Sequence, residues 1–357
     1  MAEHGRIYKT KGCKRLLSIG KIVKNSSEHG KTELERVDYL DGWRGLAIAL
    51  VLTSHFFPVE WINLGRMGVD VFFVLSGMLM SNILYVKRVP LNIFYKRRIS
   101  RIFPVFIVFV SLVYAASFLF SLSGEHGNYL YTITFLRTYF PEDSHIWEAG
   151  IPIGHLWSLN VEEHCYILLG IITLFAFLKR MEFVPLIFLG VASIVLYYVF
   201  TKYPSLATSN YKLKTEVVAG HLLLSAGYFL IKDRFAPHVP DWLPLVTLGL
   251  AFFCYSIFSP WYLKWLLSPF LLAFTVNHLD LAPAFFKRAL EFKPLRLLGI
   301  ASFSIYLWQQ PFYYYGTREG DAFFLAGPVL LAVSLLVGSM SFYYFENPVR
   351  KYINNRW

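Results

Sequence analysis

Long apolar stretches that carry almost no charge make up most of the sequence from residue 38 onward. A helix needs about 20 mostly apolar residues to cross a bilayer, and shorter helices persist where other helices surround them. Stretches of this kind predict an all-α integral membrane protein, a bundle of about ten transmembrane helices. The predicted helices lie at 40–58, 68–86, 102–122, 157–178, 183–201, 217–231, 242–258, 261–277, 294–315 and 323–345.

The first 36 residues are polar and basic, in contrast to the rest of the chain. They lack the apolar run of a secretory signal, which spans about 7–15 residues. We therefore expect residues 1–36 to form a short, basic, cytoplasmic N-terminal extension. Residues 37–350 would form the membrane domain, and residues 351–357 a cytoplasmic C-terminal tail.

The distribution of lysine and arginine predicts the orientation of the bundle. With the N-terminus inside, 26 of the 34 lysines and arginines fall on the cytoplasmic side and seven on the other. The remaining one, Arg44, lies within the first predicted helix. Positive residues favour cytoplasmic loops, so both termini should be cytoplasmic. We attribute the net charge of +11 to the membrane surface and do not expect nucleic acid as a partner. The three cysteines show no paired spacing, so we expect neither a disulfide framework nor a metal site.

Arg44 and His55 are ionisable residues within the first predicted helix. A separation of eleven residues places them on nearly the same face, about 16 Å apart along the axis. Arg44 would lie near the cytoplasmic end and His55 near the outer end. Such residues inside a membrane need a partner or a function. The alternative is that Arg44 reaches lipid headgroups and His55 caps the helix end.

Further ionisable residues should gather near His55. In the fourth predicted helix, His155 and Glu162 share one face, while Glu163 points about 100° away. In the second helix, Asp70 should lie near the outer surface, as His55 and His155 do. One of the three carboxylates would orient the His55 ring for acid–base or acyl-transfer chemistry. The alternative is a salt-bridge network that only supports the structure.

A basic cluster, Arg97, Arg98 and Arg101, occupies a predicted cytoplasmic loop at residues 87–101, just before the third helix. Arginine binds phosphate groups through paired, charge-assisted hydrogen bonds. The cluster is therefore a candidate phosphate site. The alternative is an ordinary topology signal without a further role.

Five blocks of the sequence, in a fixed order, carry a resemblance to a known family. The blocks are Tyr39 to Ala47 followed by His55, Gly68 to Gly77, Arg97 to Pro104, His155 to Glu163, and Ser304 to Trp308 followed by Glu346-Asn347-Pro348. In this order they resemble the bacterial acyltransferase family 3. The match runs from residue 38 to about residue 350.

Members of that family reside in the inner membrane and O-acylate, usually O-acetylate, acceptors outside the cytoplasm. The resemblance implies an O-acyltransferase, most simply an O-acetyltransferase, in the cell inner (plasma) membrane, with acetyl-CoA or another acyl-CoA as donor. The acceptor would be a glycan, a lipid-linked sugar or a small hydroxylated molecule, and membrane lipids would surround the bundle. By position, Arg44 and His55 match the family's essential pair, and Arg97, Arg98 and Arg101 match its basic donor-site motif.

One departure from the family pattern lies after the Tyr306-Leu307-Trp308 block. Many members have a histidine there, whereas this chain has Gln309-Gln310-Pro311. We therefore predict no catalytic histidine at this position.

These observations together predict a relay across the membrane. Arginines on the cytoplasmic side would hold the phosphates of coenzyme A, and the acyl arm would run along the Arg44 stripe toward His55. His55 would act as general base on the acceptor or take the acyl group itself. A transporter is the main alternative, but the paired broken helices or internal repeat typical of that class are not evident in the sequence.

Overall fold

The computed structural model describes residues 37–57, 59–122, 126–142, 146–147, 149–316 and 322–356. The N-terminal extension predicted at 1–36 lies outside the described residues, as does Trp357. Within the described part of the chain there is no β-strand, and one isolated antiparallel bridge joins Ile62 to Ser256. The predicted all-helical class is therefore confirmed for these residues.

For description, the sixteen α-helices of the described residues are divided in chain order into two groups. The first group is α1 Asp38–Phe56, α2 Leu64–Ser81, α3 Leu91–Leu119, α4 Tyr129–Ile133, α5 Leu156–Thr173, α6 Phe183–Lys202, α7 Thr215–Val218 and α8 Gly220–Phe229. The second group is α9 Leu243–Cys254, α10 Leu263–Leu266, α11 Ser268–Asn277, α12 Ala284–Leu290, α13 Lys293–Ile300, α14 Ser302–Gly316, α15 Ala322–Ser341 and α16 Asn347–Arg356.

Four helical segments are long and apolar enough to cross a membrane. They are Leu64–Val86, Leu91–Leu119, Phe183–Lys202 and Ala326–Arg356. The chain is thus a membrane protein, whereas the count of about ten spans stays a prediction. Helices α1 and α5 fall short in hydropathy because they carry the polar residues that the sequence analysis singled out. Other predicted spans are interrupted, as between α10 and α11 and between α13 and α14.

The third predicted helix begins earlier than the sequence analysis placed it. Helix α3 starts at Leu91, directly after Pro90, and Pro104 lies inside it. The predicted loop at 87–101 is therefore wrong for residues 91–101, which form the first turns of the helix. An apolar window misses these turns because they are basic, although lysine and arginine are good helix formers. Arg98 and Arg101 consequently sit on a rigid helix, one turn apart.

Glycines allow α1 to approach its neighbours closely. A Cβ at Gly42 would lie 1.7 Å from the carbonyl oxygen of Leu290, and one at Gly299 would lie 1.8 Å from that of Asp41. On the other side, a Cβ at Gly68 of α2 would lie 2.6 Å from the oxygen of Ala47. Small residues permit this backbone contact in membrane bundles. Helix α1 is therefore held tightly between α2 and α13.

Candidate active site

His55 lies in the last turn of α1, and helix α14 holds its ring. The ring Nδ1 is 2.8 Å from the Oε1 atom of Gln309, and the ring stacks on Tyr313 with centroids 4.2 Å apart. Gln309 and Tyr313 are one turn apart on α14, so they share a face. The sequence analysis expected a carboxylate as the partner of this ring. The described residues supply a neutral amide instead.

The Gln309 amide also determines which ring nitrogen carries the proton. Its Nε2 donates to Oε1 of Gln310 over 3.3 Å, so its own Oε1 faces His55. An amide oxygen can only accept, which assigns the proton of neutral His55 to Nδ1. The lone pair then resides on Nε2. This is the tautomer in which Nε2 can remove a proton or attack a carbonyl carbon.

His155 lies directly before α5 and is 1% exposed. Neither of its ring nitrogens has a hydrogen-bond partner among the described residues. Its ring meets Phe109 and Tyr306 edge to face, and it is close enough to His55 for their charges to interact. The Tyr306 hydroxyl donates to the His155 carbonyl over 2.9 Å and lies 2.7 Å from the Ser158 hydroxyl. That the two histidines share one site stays a prediction.

A separate cavity opens between α1, α2, α3, α5 and α14. Three arginines line it, Arg44 from α1 and Arg98 and Arg101 from α3, and Glu162 of α5 faces them. The Arg44 Nη1 atom donates to Asp41 over 2.9 Å. The rest of the wall is largely apolar, with Phe72, Leu75, Leu79, Met80, Ile102 and Phe303. Such a cavity combines an anion-binding end with room for an apolar arm.

Arg97 differs from the other two arginines of its cluster. It is exposed and does not line the cavity. Arg98, by contrast, lies 3.5 Å over the ring of Tyr166, with its Nη2 atom 3.9 Å from the Glu162 carboxylate. The structure thus brings together two of the three predicted donor-site arginines and adds Arg44 to them.

The two adjacent glutamates have different surroundings. Glu162 accepts hydrogen bonds from Ser76, over 2.5 Å, and from Tyr166. The Glu163 Oε1 atom is buried and has no hydrogen-bond partner among the described residues, although its charge acts on Arg98. Glu162 therefore belongs to the arginine cavity, and neither glutamate contacts the His55 ring.

Asp70 belongs to a third cluster. It is fully buried and accepts hydrogen bonds from Arg66, over 2.9 Å, and from Tyr255, over 2.7 Å. Its other oxygen is 3.5 Å from the Nδ1 atom of His221. The expectation that Asp70 orients the His55 ring is therefore wrong. Asp70 forms a salt bridge with Arg66 instead, four residues earlier on the same helix, because i and i+4 side chains are neighbours.

Four residues of these clusters had no predicted role: Gln309, Arg66, His221 and Tyr255. Gln309 is far from His55 in the chain, so no local pattern joins them. The signal that could have found Gln309 was its amide within an apolar stretch, since such a group needs a partner. Among the described residues, no group of three or more histidine, cysteine, aspartate or glutamate side chains could hold a metal ion.

A comparison with known protein families identifies the family of this chain. The model of an acyltransferase domain, that of acyltransferase family 3, matches residues 37–344. The chain belongs to acyltransferase family 3. This confirms the resemblance and makes the protein a member of a family of membrane acyltransferases.

Relatives in the family are named for O-acetyl transfer. Peptidoglycan O-acetyltransferase OatA of Listeria monocytogenes is 26% identical over an alignment of 356 positions. The alignment covers 88% of this chain and 56% of that protein. O-acetyltransferase OatA of Staphylococcus aureus is 24% identical over 349 residues, 87% of this chain and 57% of that protein. This family 3 chain therefore spans about half the length of these relatives. No solved structure matches it significantly.

Proposed function

We propose that this family 3 protein is an O-acetyltransferase of the cell inner membrane. It moves an acetyl group from acetyl-CoA in the cytoplasm to a hydroxyl of a glycan, a lipid-linked sugar or a small hydroxylated acceptor. The observation that carries the proposal is the layout of α1, with Arg44 in an arginine-lined cavity and His55 presenting an unblocked Nε2 at the other end. The names of the relatives support acetyl as the acyl group and a glycan as the acceptor.

The arginine cavity suits the donor. Coenzyme A carries phosphates at one end and a thioester at the end of a long, thin arm. Arg98 and Arg101 would bind phosphate oxygens, for which a planar guanidinium is well shaped. The apolar wall would enclose part of the arm, and the acetyl group would approach His55 without passage of the whole donor through the membrane.

His55 then has two possible roles. As a general base, its Nε2 would take the proton of the acceptor hydroxyl while the oxygen attacks the thioester carbonyl, and the departing thiolate would receive that proton. As a relay, Nε2 would itself attack the carbonyl, release the thiolate and form an acetyl-imidazolium that keeps its Nδ1 proton. The oxygen of the acceptor hydroxyl would then take the acetyl group and restore neutral His55, and the hydroxyl proton would pass to the thiolate. In both routes Gln309 holds the proton on Nδ1, so that Nε2 stays available.

The direct test uses the protein in inside-out membrane vesicles with radiolabelled acetyl-CoA outside. The wild type should form an alkali-labile ester on a lumenal acceptor, and His55→Ala should lose it while still inserting and binding coenzyme A. Mass spectrometry of rapidly quenched protein separates the two routes, because only the relay leaves an acetyl group on the His55 peptide. Ester formation by His55→Ala at the wild-type rate, or accumulation of intact acetyl-CoA in the lumen, would refute the proposal.

A further inference from the structure

A second positively charged region lies around Trp265. The Arg66 guanidinium carbon is 4.6 Å from the ring centroid of Trp265 and 4.8 Å from that of Trp157. Its side chain is 11% exposed, and its Nη2 atom is buried with no hydrogen-bond partner among the described residues. Cations gain attraction from aromatic faces, and the gain grows when water is excluded. Arg66 is therefore held in place by two rings and by its contact with Asp70.

Two lysines extend this region outward. The Lys264 Nζ atom is 5.2 Å from the Trp265 ring, and its charge is close enough to act on Arg66 and on Lys212. Lys212 itself is exposed. The acidic group that acts on Lys264 is Asp70, which is fully buried and already accepts hydrogen bonds from within the protein. The region thus keeps a positive excess.

This region adjoins the proposed reaction centre. Arg66 directly follows Gly65, and a Cβ at Gly65 would lie 3.9 Å from the Nε2 atom of His55. That nitrogen is the one left free by Gln309. The charge of Arg66 also acts on Tyr306, which contacts His155 and Ser158. A molecule whose hydroxyl reached His55 would therefore have its neighbouring groups near Arg66 and Lys264.

We infer that Arg66 and Lys264, which both lie against the Trp265 ring, form an acceptor subsite for an anionic sugar. The inference rests on the proposed function and names its substrate class: a sugar that carries a carboxylate or phosphate next to the hydroxyl to be acetylated. The cations bind the negative group. A neutral sugar would lack this contact.

The test compares two matched sugars, methyl glucuronoside and methyl glucoside, which differ in one carboxylate. Calorimetric titration into the purified full chain in detergent should give a dissociation constant about fivefold lower for the glucuronoside, which is the effect of one partly exposed ion pair. Lys264→Gln should remove that preference, and added salt should weaken it. Glucose 1-phosphate, titrated beside the glucuronoside, distinguishes a phosphate-bearing acceptor from a carboxylate-bearing one.

Lys202→Gln is the matched control, because Lys202 is a cation of the same predicted side that lies over Tyr198 instead. It should keep the preference for the charged sugar. At position 66 the variant is Arg66→Lys, because it keeps a positive charge beside Asp70. A neutral residue there would leave the buried carboxylate unpaired and could prevent folding. Equal affinity for all three sugars, or an equal effect of Lys202→Gln and Lys264→Gln, would overturn the inference.

The binding measurement does not depend on acetyl transfer, so the two proposals fail differently. If the anionic sugar binds more tightly but no ester forms in vesicles, the proposed function is wrong and the subsite exists. If esters form on neutral acceptors and charge has no effect on binding, the proposed function stands and this inference is wrong.

Discussion

Replacing Gln309 with leucine removes the acceptor of the His55 Nδ1 proton and keeps a side chain of similar size. The hydrogen bond spans 2.8 Å and Gln309 is fully buried, so no water from the surface replaces it directly. The loss of such a bond, with the donor left unsatisfied, costs about 2 kcal/mol. If that free energy now holds the ring in its reactive tautomer and orientation, kcat should fall ~30-fold.

The assay is acetyl transfer in vesicles at saturating acetyl-CoA, with kcat and KM determined separately. The KM for acetyl-CoA should stay near the wild-type value, because Gln309 does not line the arginine cavity. Gln309→Glu keeps an acceptor oxygen and should retain most of the activity. Tyr313→Phe keeps the stacked ring and serves as a control for the packing of α14. A wild-type kcat for Gln309→Leu would refute the role given to this amide.

Three other outcomes follow from the geometry. Arg101→Gln should raise the KM for acetyl-CoA about tenfold, whereas Arg97→Gln, which alters an exposed side chain outside the cavity, should not; equal effects would contradict the cavity as donor site. Glu162→Gln should lower kcat/KM for acetyl-CoA more than Glu163→Gln, because Glu162 faces the arginines, and titration of both variants with acetyl-CoA will check the ranking. Gly299→Val should reduce the thermal stability of the solubilised protein, since a Cβ there meets the Asp41 carbonyl; an unchanged melting temperature would show that α1 and α13 separate easily.

The sequence predicted the helical class more readily than the partners of the ionisable side chains. The positions of Arg44 and His55 on one helix followed from helical periodicity, and α1 is continuous from Asp38 to Phe56. The closeness of His55 and His155, expected from their predicted depth, stays a prediction. The predicted depth of a residue in the membrane, however, does not say which neighbouring helix its side chain faces. Asp70 therefore was expected beside His55, whereas its side chain meets Arg66 and His221.

The predicted start of the third helix was wrong for a related reason. Hydropathy marks the part of a helix that lipid can surround, and it misses polar turns that extend beyond it. Helix α3 thus begins at Leu91, which turns Arg98 and Arg101 into neighbours on one face and leaves Arg97 outside. The partnership of His55 with Gln309 depends on how α1 and α14 come together. That arrangement is a tertiary property, which patterns of residues along the chain do not predict.

The close backbone contacts of α1 have a consequence for substrate choice. Gly68 on one side and Gly42 and Gly299 on the other leave no room for α1 to slide or turn without parting whole helices. The interval between Arg44 and His55, about 16 Å along the axis, is set by the continuous helix α1 itself. The contacts with neighbouring helices add that both residues keep their positions relative to α2 and α13. Under the proposed function, this distance would limit the choice of donor. A thioester set at a different distance from its phosphates would not reach the arginines and the histidine together.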